Sequence, residues 1–158
     1  MHWPVFQPRR LHLQIFTDGA IRPELGASGL AAIVVDEQGR PCHFWSWQAG
    51  PLTCNEAEYA AVILALETVR HSRATEIDVY SDSQVLVRQM QGLASARAPR
   101  LRHAQVRLRG LVVQFGRVSF HHIPRQQNRL ADALANEAAE GRPTRLPEDR
   151  ARGSHAKR

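Results

Sequence analysis

The order in which strand and helix patterns follow one another is the strongest constraint that this sequence places on its fold. Three short apolar or alternating stretches come first, joined by turn-rich segments, at 11–17, 30–35 and 42–48. Strands joined by short turns favour an antiparallel meander. The stretch NEAEYAAVILALETVR follows, which is rich in helix formers and apolar on nearly every side, as a buried helix should be. The chain therefore begins with three strands and a buried helix.

The remainder of the chain alternates strand and helix patterns. Its elements are a strand at 76–82, a short helix that stops at Gly92, a longer helix after Pro99, a strand at 117–123 and a last helix with Asn128 as its N-cap. The predicted order is βββαβααβα, an α/β fold. If strands one and four are parallel neighbours, the helix between them forms a right-handed crossover.

Length and composition favour a single soluble domain. The chain has 158 residues, and its longest apolar run, LAAIVV, is far too short to span a membrane. We expect the folded domain at 11–140, a short extension at 1–10 and a disordered basic tail at 141–158, where Pro, Gly and charge occur without a period. No apolar signal region is present near the N-terminus, which predicts a cytoplasmic protein without membrane attachment. We also expect a monomer. Cys42 and Cys54 have neither metal-ligand nor redox spacing, so we expect free thiols.

The charges are segregated along the chain. The formal net charge is +6, but residues 1–82 carry six Lys and Arg against ten Asp and Glu, whereas 83–131 carry nine arginines and no acidic residue. A basic block next to isolated acids is typical of a protein that holds a polyanion and acts on it at an acidic site. The same block could also be a solvated face that aids solubility, and the charge pattern leaves both interpretations open.

Two acids stand at the predicted ends of strands one and four: Asp18 in FTDGA and Asp82 in VYSDSQV. An Asp-Gly pair is also a common turn, so Asp18 alone indicates little. If the two strands are parallel neighbours, they lie about 4.8 Å apart, and both acids share the carboxyl edge of the sheet, where ligand sites form in open α/β proteins. Adjacent carboxylates repel, so one protonates unless a cation lies between them. A divalent metal is the natural counter-charge.

Two further acids interrupt apolar helices near their first turns, Glu58 in NEAEYAAV and Asp132 in ADALA. Each could simply complement the helix dipole. Together with Asp18 and Asp82, they make an oxygen-rich set that suits hard cations such as Mg²⁺ or Mn²⁺, and no Cys or His cluster in the sequence competes for a softer metal. The four acids are the predicted metal ligands.

The motifs TDG, NEAEYAAVILALE, YSDSQ and NRLADALANEA resemble, in this order and spacing, the four-carboxylate pattern of type 1 ribonuclease H over residues 11–139. The resemblance implies a ribonuclease H-like fold with a mixed five-stranded sheet, three antiparallel strands followed by parallel ones, flanked by helices. It also implies an endonuclease that cuts the RNA strand of RNA/DNA hybrids, leaves 5′-phosphate and 3′-hydroxyl ends, and uses two Mg²⁺ or Mn²⁺ ions. The residues that match the family's catalytic, metal-binding acids are Asp18, Glu58, Asp82 and Asp132.

The resemblance also extends to residues that would contact the hybrid. Asn55 and Thr53 in TCNEAE match an asparagine and a phosphate-contacting threonine of the family, although both also suit a helix N-terminus. Gln84, after SDS, is a third candidate. Discrimination in favour of RNA needs contacts to 2′-hydroxyl groups, and no base needs to be read. Candidate substrate contacts on the basic face of the long helix are Arg100 and Arg107.

The chain departs from the family pattern in two places. Many members carry a histidine on a longer loop before the last acid, whereas here only PRQQ separates the last strand from Asn128. Arg125 is our candidate for that auxiliary role, and His121 and His122 are expected on opposite faces of the strand as structural residues. The segment 92–98 is also too short for the basic insertion of some members, so substrate affinity should depend strongly on salt.

Two other functions fit parts of the sequence: a non-catalytic nucleic-acid-binding module and a same-fold nuclease that acts on DNA. Four acids at one mouth disfavour the first, because they would repel a polyanion that is only bound. A nucleotide-binding Rossmann or flavodoxin-like protein is disfavoured because the chain opens with an antiparallel meander and lacks a GxGxxG motif.

Overall fold

The computed structural model describes residues 10–144, and within them five strands and four α-helices follow one another in the predicted order, βββαβααβα. The strands are β1 His12–Arg22, β2 Ala27–Val35, β3 Pro41–Ala49, β4 Glu76–Ser81 and β5 Arg117–His122. The helices are α1 Cys54–Val69, α2 Gln84–Met90, α3 Pro99–Val112 and α4 Arg129–Ala139. The bounds differ from the predicted ones by a few residues, and most at the end of β1.

The five strands form one mixed sheet in the order β3-β2-β1-β4-β5. β1 pairs antiparallel with β2, and β2 with β3, whereas β1 with β4 and β4 with β5 pair in parallel. The chain thus returns through α1 to lie beside β1, as the crossover predicted. The predicted fold class, three antiparallel strands followed by parallel ones and flanked by helices, is confirmed.

Helices cover the sheet on both faces. Leu13, Ile15 and Val34 pack with α1 in one cluster, whereas Ile33 and Val35 pack with α4 in another. Because successive residues of a strand point to opposite faces, α1 and α4 lie on opposite sides of β2. Every residue of β2 is therefore buried, and α1, which also packs against α3, is apolar on nearly every side.

β1 is longer than its sequence predicts. It continues through Asp18 to Arg22 because β2 stays paired along this length, out to Ala27. The parallel partner β4 is paired with β1 only as far as Phe16 and Tyr80. Asp18 therefore lies inside a strand, and both the prediction that it follows the strand end and the alternative of an Asp-Gly turn are wrong.

The N-termini of α1 and α4 are held in different ways. Thr53 caps α1 as predicted: its hydroxyl accepts a hydrogen bond from the Glu56 N–H, and the Glu56 carboxylate accepts one from the Thr53 N–H. Asn128 stands at the N-cap position of α4, but its side chain makes no capping bond there. Its Nδ2 donates to the backbone oxygen of Thr17 at 2.9 Å, so the amide ties α4 to β1 next to Asp18. The prediction that Asn128 caps the helix is corrected accordingly.

The segment after α4 reaches the outer edge of the sheet. The backbone N–H of Ser46 in β3 donates to the Thr144 carbonyl at 3.1 Å, and the Thr144 N–H donates to Ser46 Oγ at 2.8 Å. Since β3 is the edge strand of the described sheet, these bonds occupy part of its open side. The rest of the predicted tail, 145–158, and residues 1–9 of the predicted extension lie outside the described residues.

Of the helices that the structure describes, none is both long enough and apolar enough to cross a membrane.

Candidate active site

Three of the four predicted acids meet at one edge of the sheet. Asp82 directly follows β4, and Asp18 lies on the neighbouring strand β1, two residues beyond the last β1–β4 pair. Glu58 reaches the same point from the first turns of α1. One carboxylate oxygen of each acid lies within 4.8 Å of the other two. The parallel pairing of β1 and β4, on which the sequence interpretation depended, brings these groups together.

Gly19 allows α1 to approach β1 closely enough for this arrangement. A Cβ atom at Gly19 would lie 2.5 Å from the backbone carbonyl carbon of Ala57 and 2.7 Å from the backbone nitrogen of Glu58. Backbone atoms cannot rotate aside as a side chain can, so any side chain here would push the start of α1 away. The glycine of the TDG motif therefore serves the close packing of β1 and α1.

Asp132, in the first turn of α4, contributes a fourth carboxylate. Its Oδ1 accepts hydrogen bonds from Arg125 Nη2 at 3.1 Å and from Asn136 Nδ2 at 3.2 Å. All four acids line one cleft with a volume of about 540 Å³, and Asp132 lies outside the compact group of three. Other residues that line the cleft include Arg22, Asn55, Ser83, His122, Arg125 and Asn136.

A larger cavity, of about 720 Å³, lies between the start of β1 and the end of α1. Its walls are mostly apolar and include Leu11, Trp45 and Leu64. The compact group of acids lies in the smaller cleft, which is therefore the candidate active site.

Burial and mutual repulsion disfavour ionisation of two of these acids. Desolvation raises the pKa of Asp18, which is 4% exposed, to about 9, and the charges of Glu58, Asp82 and Asp132 add to the shift. Desolvation also raises the pKa of Glu58 to about 8, with a further contribution from Asp82 and an opposing one from its hydrogen bond with Asp18. Without a counter-charge, this pair of acids therefore retains protons near neutral pH.

The donor set fits a hard divalent cation. Glu58 Oε2 is buried and has no hydrogen-bond partner among the described residues. A bound cation would compensate for this missing partner. Every ligand atom that the acids offer is a carboxylate oxygen, the type that Mg²⁺ and Mn²⁺ prefer. The residues that could hold such an ion are Asp18, Glu58 and Asp82, with Asp132 at the border of the same cleft.

Three of the residues predicted to contact a substrate lie around this cleft. Asn55 lines it and is exposed, whereas Thr53 precedes it in the capping box of α1. Gln84 is exposed at the first position of α2 and follows Ser83, which lines the cleft. These positions leave all three side chains at helix starts, where phosphate groups are favoured.

The two predicted arginines of α3 lean towards α1. Arg100 forms an ion pair with Glu56 at 3.3 Å, and Arg107 forms one with Glu67 at 2.5 Å. Both arginine side chains are more than half exposed. The Glu56 side chain is 13% exposed, but both guanidinium groups are open to solvent, and ion pairs of exposed arginines contribute little to stability.

The two histidines of β5 differ in their surroundings. His121 Nε2 lies 2.6 Å from Asp78 Oδ1, and its ring stacks on Tyr80, in agreement with the structural role predicted for it. His122 is exposed and lines the cleft, and its structural role stays a prediction. Arg22 and Asn136 also line the cleft and were not predicted. The hydrogen bond between them joins residues 114 positions apart, and no local sequence motif indicates such a contact.

Comparison with known proteins places this geometry in a family. The chain matches the family described as reverse transcriptase-like over residues 16–138. It is also 36% identical over 135 residues to the ribonuclease HI of Halobacterium salinarum, which covers 85% of this chain and 68% of that protein. The chain belongs to the type 1 ribonuclease H family. It is therefore an enzyme of a class that depends on divalent metal ions.

Solved ribonuclease H structures share the fold. The N-terminal RNase H domain of a Mycobacterium tuberculosis protein aligns with a TM-score of 0.78 at 32% identity and covers 83% of this chain and 95% of that one. LC11-RNase H1, solved in complex with an RNA/DNA hybrid, aligns with a TM-score of 0.76 at 34% identity over 82% of this chain and 97% of that one. The complete mycobacterial protein, named as bifunctional, is longer, and the chain spans 34% of it.

Proposed function

We propose that this ribonuclease H is an endonuclease that hydrolyses the RNA strand of RNA/DNA hybrids and leaves 5′-phosphate and 3′-hydroxyl ends. The observation that carries the proposal is the compact group of Asp18, Glu58 and Asp82, with carboxylate oxygens within 4.8 Å of one another. A cleft that only bound a polyanion would gain nothing from clustered acids, because they repel phosphates. The hybrid bound to LC11-RNase H1 supports the choice of substrate.

The four acids would hold two divalent ions, Mg²⁺ or Mn²⁺, and the chemistry that such ions would supply is activation of the attacking water and stabilisation of the leaving 3′-oxygen. The chain itself supplies fixed geometry. β1 and α1 carry Asp18 and Glu58, Asp82 directly follows β4, and α4 brings the fourth acid, Asp132, to the same cleft. Arg125, which donates to Asp132, has the auxiliary role of adding positive charge where a phosphate would enter.

The substrate contacts that we propose surround the acids. Asn55 has the most direct position because it lines the cleft at the start of α1, where its amide can reach a 2′-hydroxyl group and the helix N-terminus favours phosphate. Thr53 and Gln84 flank it at helix starts. Arg100 and Arg107 would contact backbone phosphates in exchange for their carboxylate partners on α1.

A cleavage assay tests the proposal directly. One labelled sequence is offered as RNA/DNA hybrid, single-stranded RNA, duplex RNA and duplex DNA, each with Mg²⁺, Mn²⁺ or EDTA. We expect metal-dependent cutting of RNA in the hybrid alone, with 3′-hydroxyl ends that a polymerase can extend. Asp82→Asn should abolish cutting with an unchanged circular dichroism spectrum, whereas the matched variant Glu24→Gln removes an exposed acid outside the cleft and should cut normally.

Two results would overturn the proposal. A hybrid that is bound but never cut would favour the non-catalytic binding module. Cutting of duplex DNA with the RNA strand left intact would favour the same-fold nuclease that acts on DNA.

A further inference from the structure

A chain of hydrogen bonds leads from the end of β1 to Asp132. Arg22 Nη2 donates to Asn136 Oδ1 at 2.7 Å. Asn136 Nδ2 in turn donates to Asp132 Oδ1 at 3.2 Å and to the Asp132 backbone oxygen at 2.8 Å. Arg22 and Asn136 both line the cleft, and neither belongs to the acids or substrate contacts proposed above.

Arg22 determines which way the Asn136 amide faces. A guanidinium group can only donate hydrogen bonds, so the amide oxygen must face Arg22 and the NH₂ group must face Asp132. In the reverse orientation, the NH₂ group of Asn136 would face the N–H donors of Arg22, and its amide oxygen would face the Asp132 carboxylate. The guanidinium is itself held by Glu140 Oε1 at 3.1 Å and by the Ile21 carbonyl at 3.0 Å.

Two side-chain donors to Asp132 reach the same oxygen. Asn136 and Arg125 each donate to Oδ1, and the Asp18 carboxyl, one of the clustered acids, is a further hydrogen-bond partner of Asp132. Two donors on one oxygen restrict the rotation of the carboxylate. Asp132 is thus held by Asn136 and Arg125 on one side and faces Asp18 and the metal site on the other.

Asn136 is the more persistent of these two partners. The Arg125 side chain is 75% exposed, so water and substrate phosphates compete for it. Asn136 is half-buried, lies one turn from Asp132 on the same helix, and is locked by Arg22, which is 27% exposed. The hydrogen bond from Asn136 therefore persists when Arg125 moves.

We propose that Asn136, oriented by Arg22, is a positioning residue that holds the Asp132 carboxylate in the orientation required at the metal site. The inference rests on the proposed function, because it matters only if Asp132 serves that site. Loss of a partner that orients a metal ligand typically lowers metal affinity or activity by about 10- to 100-fold.

Asn136→Asp is the decisive variant. It keeps an oxygen that faces Arg22 and nearly the same shape, but it replaces the NH₂ donor with an oxygen that repels Asp132. We expect kcat on a saturating hybrid and the affinity of the free protein for Mn²⁺, measured by calorimetry, both to fall by about 10- to 100-fold. KM for the hybrid and Tm should stay close to wild type.

Arg22→Met provides a second, independent variant. It releases the Asn136 amide to rotate, so we expect the same losses in the same direction, and the double variant with Asn136→Asp should lose little more than either single one. Arg142→Met is the matched control. Arg142 donates to the same Glu140 at 2.9 Å but does not contact Asn136, so kcat and Mn²⁺ affinity should not change.

Wild-type kcat and Mn²⁺ affinity in Asn136→Asp would overturn the inference, because a residue that only anchors Arg22 keeps that contact in this variant. Additive losses in the double variant would also contradict it. Different results would contradict the proposed function: the Asp132→Asn variant would still cleave the hybrid, or the wild type would not cleave it. The Mn²⁺ titrations of Asn136→Asp would still report on the positioning role in that case.

Discussion

Asp18 is the acid whose ionisation is most opposed by its surroundings. Its pKa of about 9 in the folded protein lies far above the value of about 3.9 for an aspartic acid in an unfolded chain. At pH values between these two, the Asp18 carboxyl is protonated in the folded protein and ionised in the unfolded chain. The contribution of Asp18 to the free energy of unfolding of the metal-free protein therefore falls as the pH rises from about 4 to about 9.

Asp18→Asn removes the ionisable carboxyl group, so we expect it to abolish hybrid cleavage and yet raise the Tm of the metal-free protein. The rise should grow with pH and reach several degrees by about pH 8, because over that interval the wild type loses the contribution of Asp18 to stability and the variant has no such contribution to lose. Thermal unfolding in EDTA between about pH 5 and pH 9 measures the effect. Glu24→Gln, which removes an exposed acid, should follow the wild type. Parallel profiles for Asp18→Asn and the wild type would contradict the raised pKa.

The position of α1 against β1 depends on the absence of a side chain at residue 19, which is a glycine. Gly19→Ala would place Cβ against the backbone of Ala57 and Glu58, so the start of α1 must move and Glu58 must move with it. We expect kcat to fall at least tenfold and the free energy of unfolding to fall by about 1–3 kcal/mol. Steady-state kinetics and denaturant unfolding measure the two effects.

Gly110→Ala is the matched control for this change. A Cβ at Gly110 in α3 meets nothing within 4 Å, and alanine favours a helix more than glycine does, so activity should be normal and stability equal or higher. If Gly19→Ala were as active as Gly110→Ala, the close approach of α1 to β1 would not be required for the site.

Local patterns in the sequence predicted most of the elements, but not how far each one extends. The capping box of α1 could be identified from Thr53 and Glu56, three residues apart, because both partners belong to one short motif. The continuation of β1 past Asp18 could not be predicted, since TDGA has the composition of a turn and only pairing with β2 overrides that preference. The role of Asn136 could not be predicted either, because its orientation depends on a hydrogen bond with Arg22, which lies 114 positions away in the sequence.

Across the whole molecule, positive charge is concentrated in the arginine-rich block at 83–131, which contains no acidic residue and which we propose as the binding surface for the hybrid. If two to four of its side chains contact hybrid phosphates, KM should rise by about 10- to 100-fold between about 50 and 200 mM salt, while kcat changes little. Kinetics at constant free Mg²⁺ measure this dependence. Arg107→Ala should reduce the slope of log KM against log salt by about one.

Arg117→Ala is the matched control for the salt dependence. Arg117 begins β5, at the end of the strand opposite His122, which lines the cleft, so the slope should stay as in the wild type. A KM independent of salt, or equal slopes for the two variants, would show that the arginines of α3 do not bind the substrate.

The contact of Thr144 with β3 also covers part of a strand edge at which a second copy of the protein would otherwise find open backbone groups. β3 is an edge strand of the described sheet, and its sequence HFWSW is aromatic, a combination that promotes edge-to-edge aggregation when backbone groups are left open. The two hydrogen bonds between Thr144 and Ser46 close the middle of that edge. A chain shortened to end before Thr144 would uncover it, so precipitation at high concentration, with the fold still intact, is the first defect that such a truncation would cause.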